Sequence, residues 1–172
     1  MDKDKYLKSV DKQLEYYDEV IFDRGLDYFN GKMVDEVKKV NKNKITAIVY
    51  GSDDYNVIVE SKNNEVIYTE CDCPYACGGN GCKHEVATLL YIKNNYDDIK
   101  TVKEIKKEYE EKEKYLSDCI DKIKYEDLKE YLIMQAEECD FIYDDIVLMA
   151  TENSNYNDFI KRMKDFHYKK LD

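Results

Sequence analysis

Between residues 71 and 84 the chain reads Cys-Asp-Cys-Pro-Tyr-Ala-Cys-Gly-Gly-Asn-Gly-Cys-Lys-His. Four of the six cysteines, one of the two histidines, the only proline and half of the six glycines fall in this stretch. Thiolate sulfur and imidazole nitrogen are the ligands a structural Zn²⁺ takes, four of them in a tetrahedron. Cys71 and Cys73 follow a β-like run, and in an extended strand residues i and i+2 point to one face, so both sulfurs can reach one ion. Pro74 ends the strand, and Gly78, Gly79 and Gly81 allow the loop to fold back through backbone angles closed to other residues. Cys82 and His84 then open a helical segment, whose positive dipole end favours a thiolate, with Lys83 adding positive charge. The expected site is one Zn²⁺ per chain on Cys71, Cys73, Cys82 and His84, clipping a strand end to a helix start.

Other chemistries fit the residues less well. Cys71, Cys73, Cys77 and Cys82 could form two disulfides, but a reducing cytosol and the neighbouring histidine favour metal. Cys77 can replace one ligand or remain a free thiol in the glycine loop; the free thiol is favoured because the two flanking hooks already fill a tetrahedron. Cys119 and Cys139 fall in helical patterns and read as buried apolar residues. His167, among Lys and Tyr, reads as a surface residue. Catalytic zinc keeps a position open for water, which four protein ligands do not leave. Glu70, Asp72 and Glu85 are candidate bases by proximity alone and read better as solvated charge. A Cys77 nucleophile would need a base in reach, and no P-loop, GxSxG or HExxH pattern occurs. The expectation is a protein that is not an enzyme.

The elements that must position these ligands are readable from period and turn chemistry. Tyr6, Val10, Leu14, Tyr17 and Ile21 form one helical stripe. Arg24 to Val34 contains a short helical turn bracketed by Gly25 and Gly31, with Leu26, Tyr28 and Phe29 plugging a core and Gly31 placed as a helix stop. From Met33 the period becomes two. Four strands are expected at Val34–Val40, Ile45–Tyr50, Tyr55–Glu60 and Glu65–Glu70, and their short turn-rich separators favour an antiparallel meander. His84–Lys93 is helical, with Ala87, Leu90 and Tyr91 on one face. Helices are then expected at Ile99–Leu116, Tyr125–Glu137, Phe141–Ala150 and Tyr156–Tyr168, the last two separated by Asn153-Ser154-Asn155. The fold class is α+β: an N-terminal helix, a small antiparallel four-stranded sheet, the CxC…CxH site joining the last strand to a helix, then C-terminal helices. Residues 1–96 are expected to form the zinc-binding domain, and 97–172 an acidic helical region packed on it or appended to it.

Cys71-x-Cys73, an eight-residue spacer and Cys82-x-His84 resemble the SWIM zinc finger. The likeness extends to Arg24-Gly25, Tyr28-Phe29, Gly31, Val34, Ala47, Val49, Gly51-Ser52, Tyr55, Val57, Ala87 and Leu89-Leu90, and to Glu126–Leu148, which is similar to the helical region that often follows the finger in bacterial SWIM proteins. A cysteine inside the spacer, Cys77, departs from that pattern. The resemblance implies a zinc-stabilised module that mediates protein or nucleic-acid interaction, because SWIM domains occur in or beside helicases, transposases and recombination factors. The implied partner is a helicase or other nucleic-acid enzyme.

Charge bears on how directly nucleic acid is met. The net charge is −11, distributed as −1 over residues 1–43, −3 over 44–96 and −7 over 97–172. Nucleic-acid-binding domains ordinarily carry a basic face, so the acidic balance favours protein contact. Direct nucleic-acid contact would fall to Arg24, Lys83 and Lys93. The alternative is an acidic adaptor that binds a basic protein and no nucleic acid. No apolar run approaches the ~18 residues of a membrane span, and Met-Asp-Lys-Asp-Lys-Tyr carries no apolar leader. A cytoplasmic protein is expected.

Overall fold

The computed structural model describes residues 2–151. The expected helix at Tyr156–Tyr168, the Asn153-Ser154-Asn155 break and His167 lie outside the described residues. The architecture is α+β. Helices α1 (Lys3–Leu14) and α2 (Glu19–Asn30) precede strands β1 (Val34–Asn41), β2 (Lys44–Tyr50), β3 (Asp54–Lys62) and β4 (Glu65–Cys71). A single 3₁₀ turn at Ala76–Gly78 leads to α3 (Lys83–Asn95), and α4 (Val102–Ile120), α5 (Tyr125–Glu138) and α6 (Asp140–Thr151) follow. The chain divides into two compact units, Met1–Glu104 and Ile105–Asp172. Among the described residues no helix is long and apolar enough to cross a membrane.

The stripe from Tyr6 to Ile21 is two helices, where the sequence pattern predicts one. Asp18 breaks it: its carboxylate accepts from the Ile21 N–H at 2.9 Å and caps α2, which satisfies one of the orphan donors of a helix start. Asp2 does the same for α1 through the Lys5 N–H. The expected short turn between Gly25 and Gly31 is the second half of α2, with Gly25 inside the helix. α2 does stop at Gly31, but Gly31 keeps φ −73° and Lys32 takes the left-handed angle, φ 56°.

The four strands pair in sequence order, all antiparallel. Ile45, Ala47 and Val49 of β2 lie opposite Val59, Val57 and Tyr55 of β3. The period of two sends the first three, with Val57 and Val59, to the buried face. Asn63 and Asn64, both at positive φ, close the β3–β4 hairpin in the manner of a type I′ turn. β1 is irregular between Asp35 and Lys38, where Glu36 takes φ 46°.

Both sheet edges are engaged. At β4 the Val66 N–H donates to Ser9 Oγ of α1. At β1 the Lys39 N–H donates to the Lys100 carbonyl at 2.9 Å, and Lys39 forms a parallel bridge with Thr101.

Helix α3 is the centre of the first unit. The sequence predicts one buried face, yet His84, Glu85, Val86, Ala87, Thr88, Leu89, Leu90 and Ile92 are all buried. The sheet lies against one side of α3, and α1 and α2 occupy others. α2 approaches so closely that a Cβ on Gly25 would stand 2.4 Å from Val86 Cγ1 and 3.0 Å from the Lys83 carbonyl. Among the described residues of the second unit, α5 and α6 pack on each other while Tyr125, Ile133, Phe141 and Tyr143 stay exposed. Cys119 and Cys139, expected to be buried, are half-buried.

Candidate metal centre

β4 ends on Cys71, and the chain turns at once. The Cys77 N–H donates to the Cys73 carbonyl at 3.0 Å, and the Ala76 N–H donates to Cys73 Sγ at 3.4 Å. The Asp72 carboxylate fastens the strand end from outside, accepting from the Asn56 N–H at 2.8 Å and Nδ2 at 2.7 Å. Cys82 occupies the N-cap of α3, where its sulfur accepts from the Glu85 N–H. His84 follows within the first turn.

These elements bring one ligand atom each of Cys71, Cys73, Cys82 and His84 within 4.8 Å of one another, and all four residues are buried. His84 presents Nδ1 to the group, 3.6 Å from Cys71 Sγ. A tetrahedral ion with bonds of ~2.3 Å to sulfur and ~2.05 Å to nitrogen separates such a pair by about 3.6 Å. The donor set therefore fits a metal ion. Hydrogen bonding agrees with that fit, since two of the three sulfurs accept backbone N–H groups, which favours thiolates, while burial opposes their charge unless a cation faces them. The Cys82 thiol is lowered, chiefly by its hydrogen bond with Cys71, against the opposing effect of burial. The same bond, with burial, drives Cys71 upward, and Cys73 is raised first by burial. Cys77, the unassigned thiol of the spacer, is exposed and stands outside the cluster, its Sγ toward the Asp72 carbonyl.

The surroundings hold a residue that the sequence misplaces. Glu85 reads as solvated charge, but it is 4% exposed. Its carboxylate accepts from the Cys82 N–H at 2.9 Å and from Tyr17 Oη at 3.2 Å, and Tyr17 Oη also meets Thr69 Oγ1 at 3.1 Å. This chain ties the α1–α2 junction, β4 and the cysteine end of α3 together. Burial pushes the Glu85 carboxyl upward, partly offset by the Cys82 N–H. The sequence signal for it was its place three residues after an N-cap, the reciprocal capping position. Glu70 and Asp72 are exposed, as expected.

The His84 ring is held between two tyrosines. Tyr55 stacks on it at 4.6 Å and 23°, and Tyr28 stands at 5.3 Å and 60°. Its second nitrogen, Nε2, is buried and meets no hydrogen-bond partner among the described residues. Beside it lies a cavity of about 220 Å³ that Arg24 and Lys83 both line. Lys83 Nζ lies 4.1 Å over the Tyr28 ring and 2.6 Å from its hydroxyl. Lys93 stands apart from these two cations: it pairs with Asp11 near the far end of α3, ten residues or about 15 Å along the helix from Lys83.

No family model matches the chain, and no solved structure matches it. An uncharacterized protein of Methanocaldococcus jannaschii is 38% identical to it over 99 residues, which make up 57% of this chain. The chain spans 39% of the length of that curated relative.

Proposed function

We propose that the chain is a zinc-binding interaction module of the SWIM type, working beside nucleic-acid enzymes and not itself an enzyme. The observation that carries this reading is the buried set of three cysteines and one histidine at a strand-to-helix junction. Cys71, Cys73, Cys82 and His84 would hold the ion, which when bound supplies a cross-link between β4 and α3. Four protein ligands complete a tetrahedron, so no position is left for an attacking water. The ion's part is architectural, and function belongs to the surface around it. Arg24 and Lys83, which line one cavity beside His84, are the groups through which that surface would meet nucleic acid.

Elemental analysis of protein purified without chelator tests the first half; one equivalent of zinc per chain is expected, and metal-free protein refutes it. A low-salt gel-shift titration tests the second. A shift at roughly 10–100 μM, the range of non-specific binding, is expected with DNA. If none appears with single or double strands, direct contact is ruled out.

A second reading, an adaptor that binds a basic protein without nucleic acid, is supported by the helices after Glu104. They carry exposed Tyr125, Ile133, Phe141 and Tyr143, and residues 97–172 sum to −7. Capture of a partner that survives removal of those helices would sink that reading.

A further inference from the structure

The cavity beside the candidate metal centre is built from five segments that the chain brings together: α2, the β2–β3 loop, the start of β3, the turn after β4 and the first residues of α3. Arg24 enters from α2, Ser52 from the loop, Tyr55 from β3, Tyr75 from the turn, and Lys83 with His84 from α3. Three observations bear on what it accepts. The first is cationic: Lys83 is fixed over Tyr28, while Arg24 is exposed and its guanidinium has no ion pair or hydrogen bond among the described residues. The second is the start of α3, a helix of 13 residues whose N-terminal dipole end favours an anion. The third is His84 itself, 4% exposed, which lines the cavity and whose buried Nε2 has no partner among the described residues.

With a metal on Nδ1, the Nε2 of a neutral imidazole must carry the hydrogen and can only donate. Metal-bound histidines ordinarily give that hydrogen to an acceptor, and a buried donor without one is destabilising. No described residue supplies the acceptor, and His84 lines the cavity, from which a ligand would reach Nε2 by a small shift of the ring's neighbours. Three thiolates and a divalent ion leave one negative charge and the Glu85 carboxylate adds a second outside the cavity lining, while Lys83 and Arg24 place two positive charges in that lining. The hydroxyls of Ser52 and Tyr55, bonded to each other at 2.9 Å, complete a donor set richer than the two oxygens of a carboxylate require. A tetrahedral oxyanion uses it better. The volume exceeds that of the anion alone, and the exposed Tyr75 ring offers a face to whatever carries it.

We propose that this cavity binds a phosphate group, with Arg24, Lys83, Ser52 and the His84 Nε2–H as its donors. The inference rests on the metal reading above and adds a ligand to the same centre. The source of the phosphate, free anion, nucleotide or nucleic-acid strand, is left to the arms of the experiment.

The full chain is first assayed for metal, then titrated calorimetrically with inorganic phosphate, adenosine monophosphate and a six-nucleotide single strand lacking a terminal phosphate. Binding of at least one is expected, accompanied by a shift of the His84 Nε2–H resonance in ¹⁵N-edited spectra. Arg24→Ala, an exposed position whose loss leaves the fold intact, should weaken it about tenfold or more, the usual effect of removing a charge-assisted hydrogen bond. Lys44→Ala, on the sheet and paired with Glu60, should not. Equal affinity for phosphate and the nucleotide assigns the site to the free anion. Tighter binding of the nucleotide assigns it to a monoester, and tightest binding of the strand to a backbone diester. A metal-loaded chain that binds none of the three, or an Arg24→Ala variant that binds as well as the parent, overturns this inference alone. A chain without metal overturns the metal reading and this inference with it.

Discussion

The buried face of one sheet supports two cores of different make. Toward α1, Ile45 and Val59 meet Tyr6, Val10, Leu14, Leu89 and Ile92. Two residues along the same strands, Ala47, Val49 and Val57 meet Val34, Ala87 and the sulfurs of Cys71, Cys73 and Cys82. The first core is filled by large side chains. The buried residues of the second are alanine, valine and cysteine, which offer less apolar area to remove from water, and its larger side chains, Tyr28, Phe29, Tyr55 and Tyr91, pack against it only half-buried. The contrast teaches where a metal would matter: the first core can cohere by packing, whereas an ion on the four candidate ligands would cross-link the second.

That contrast can be broken or sharpened by experiment. The largest effect is expected from Cys82→Ala. It should strip the metal and forfeit much of a binding energy that for structural zinc is folding energy of about 10–16 kcal/mol. Hydrogen exchange should then quicken at Val49 and Val57 well before Ile45 and Val59; equal loss at both ends would mean that the two cores are one. Next is Leu89→Ala, in the packed core at a fully buried position. Truncation there should cost about 2–5 kcal/mol in urea denaturation while elemental analysis still finds one metal per chain. Loss of metal at native conditions would erase the distinction. The smallest is Gly25→Ala. The overlap with Val86 should cost about 1–3 kcal/mol, exceeding the gain of up to ~1 kcal/mol from better helix propensity. An unchanged denaturation midpoint would show that α2 can move off α3 without loss.

Much of this was legible before the fold. The sheet announces itself because Val, Ile, Tyr and Thr alternate between separators such as Ser-Lys-Asn-Asn, where local chemistry and register agree. The four candidate ligands stand out because few other roles require sulfur at such spacing. What escaped the sequence depends on distance. Tyr17 and Ile21 fall in phase with Tyr6, so only the hydrogen bond from the Ile21 N–H to Asp18 reveals the break. Glu85 looks solvated until Tyr17, 68 residues away, is seen to donate to it. His84, Glu85 and Thr88 interrupt the apolar pattern of α3 and conceal a helix buried on nearly every side. Arg24 and Lys83 line one cavity only because Gly25 lets α2 lie against α3.

The hydrogen bond from Lys39 to the Lys100 carbonyl bears on where the sheet-bearing unit can be cut. The segment after α3 returns to cover the outer rim of β1, and Ile99 beside it is 5% exposed. A fragment ending at residue 96 would keep every candidate ligand yet lose the backbone partner of Lys39 on the β1 edge, and an exposed sheet edge is a template for pairing with another copy. A fragment that keeps this edge pairing therefore has to run past Thr101, although the residues beyond α3 supply none of the candidate ligands.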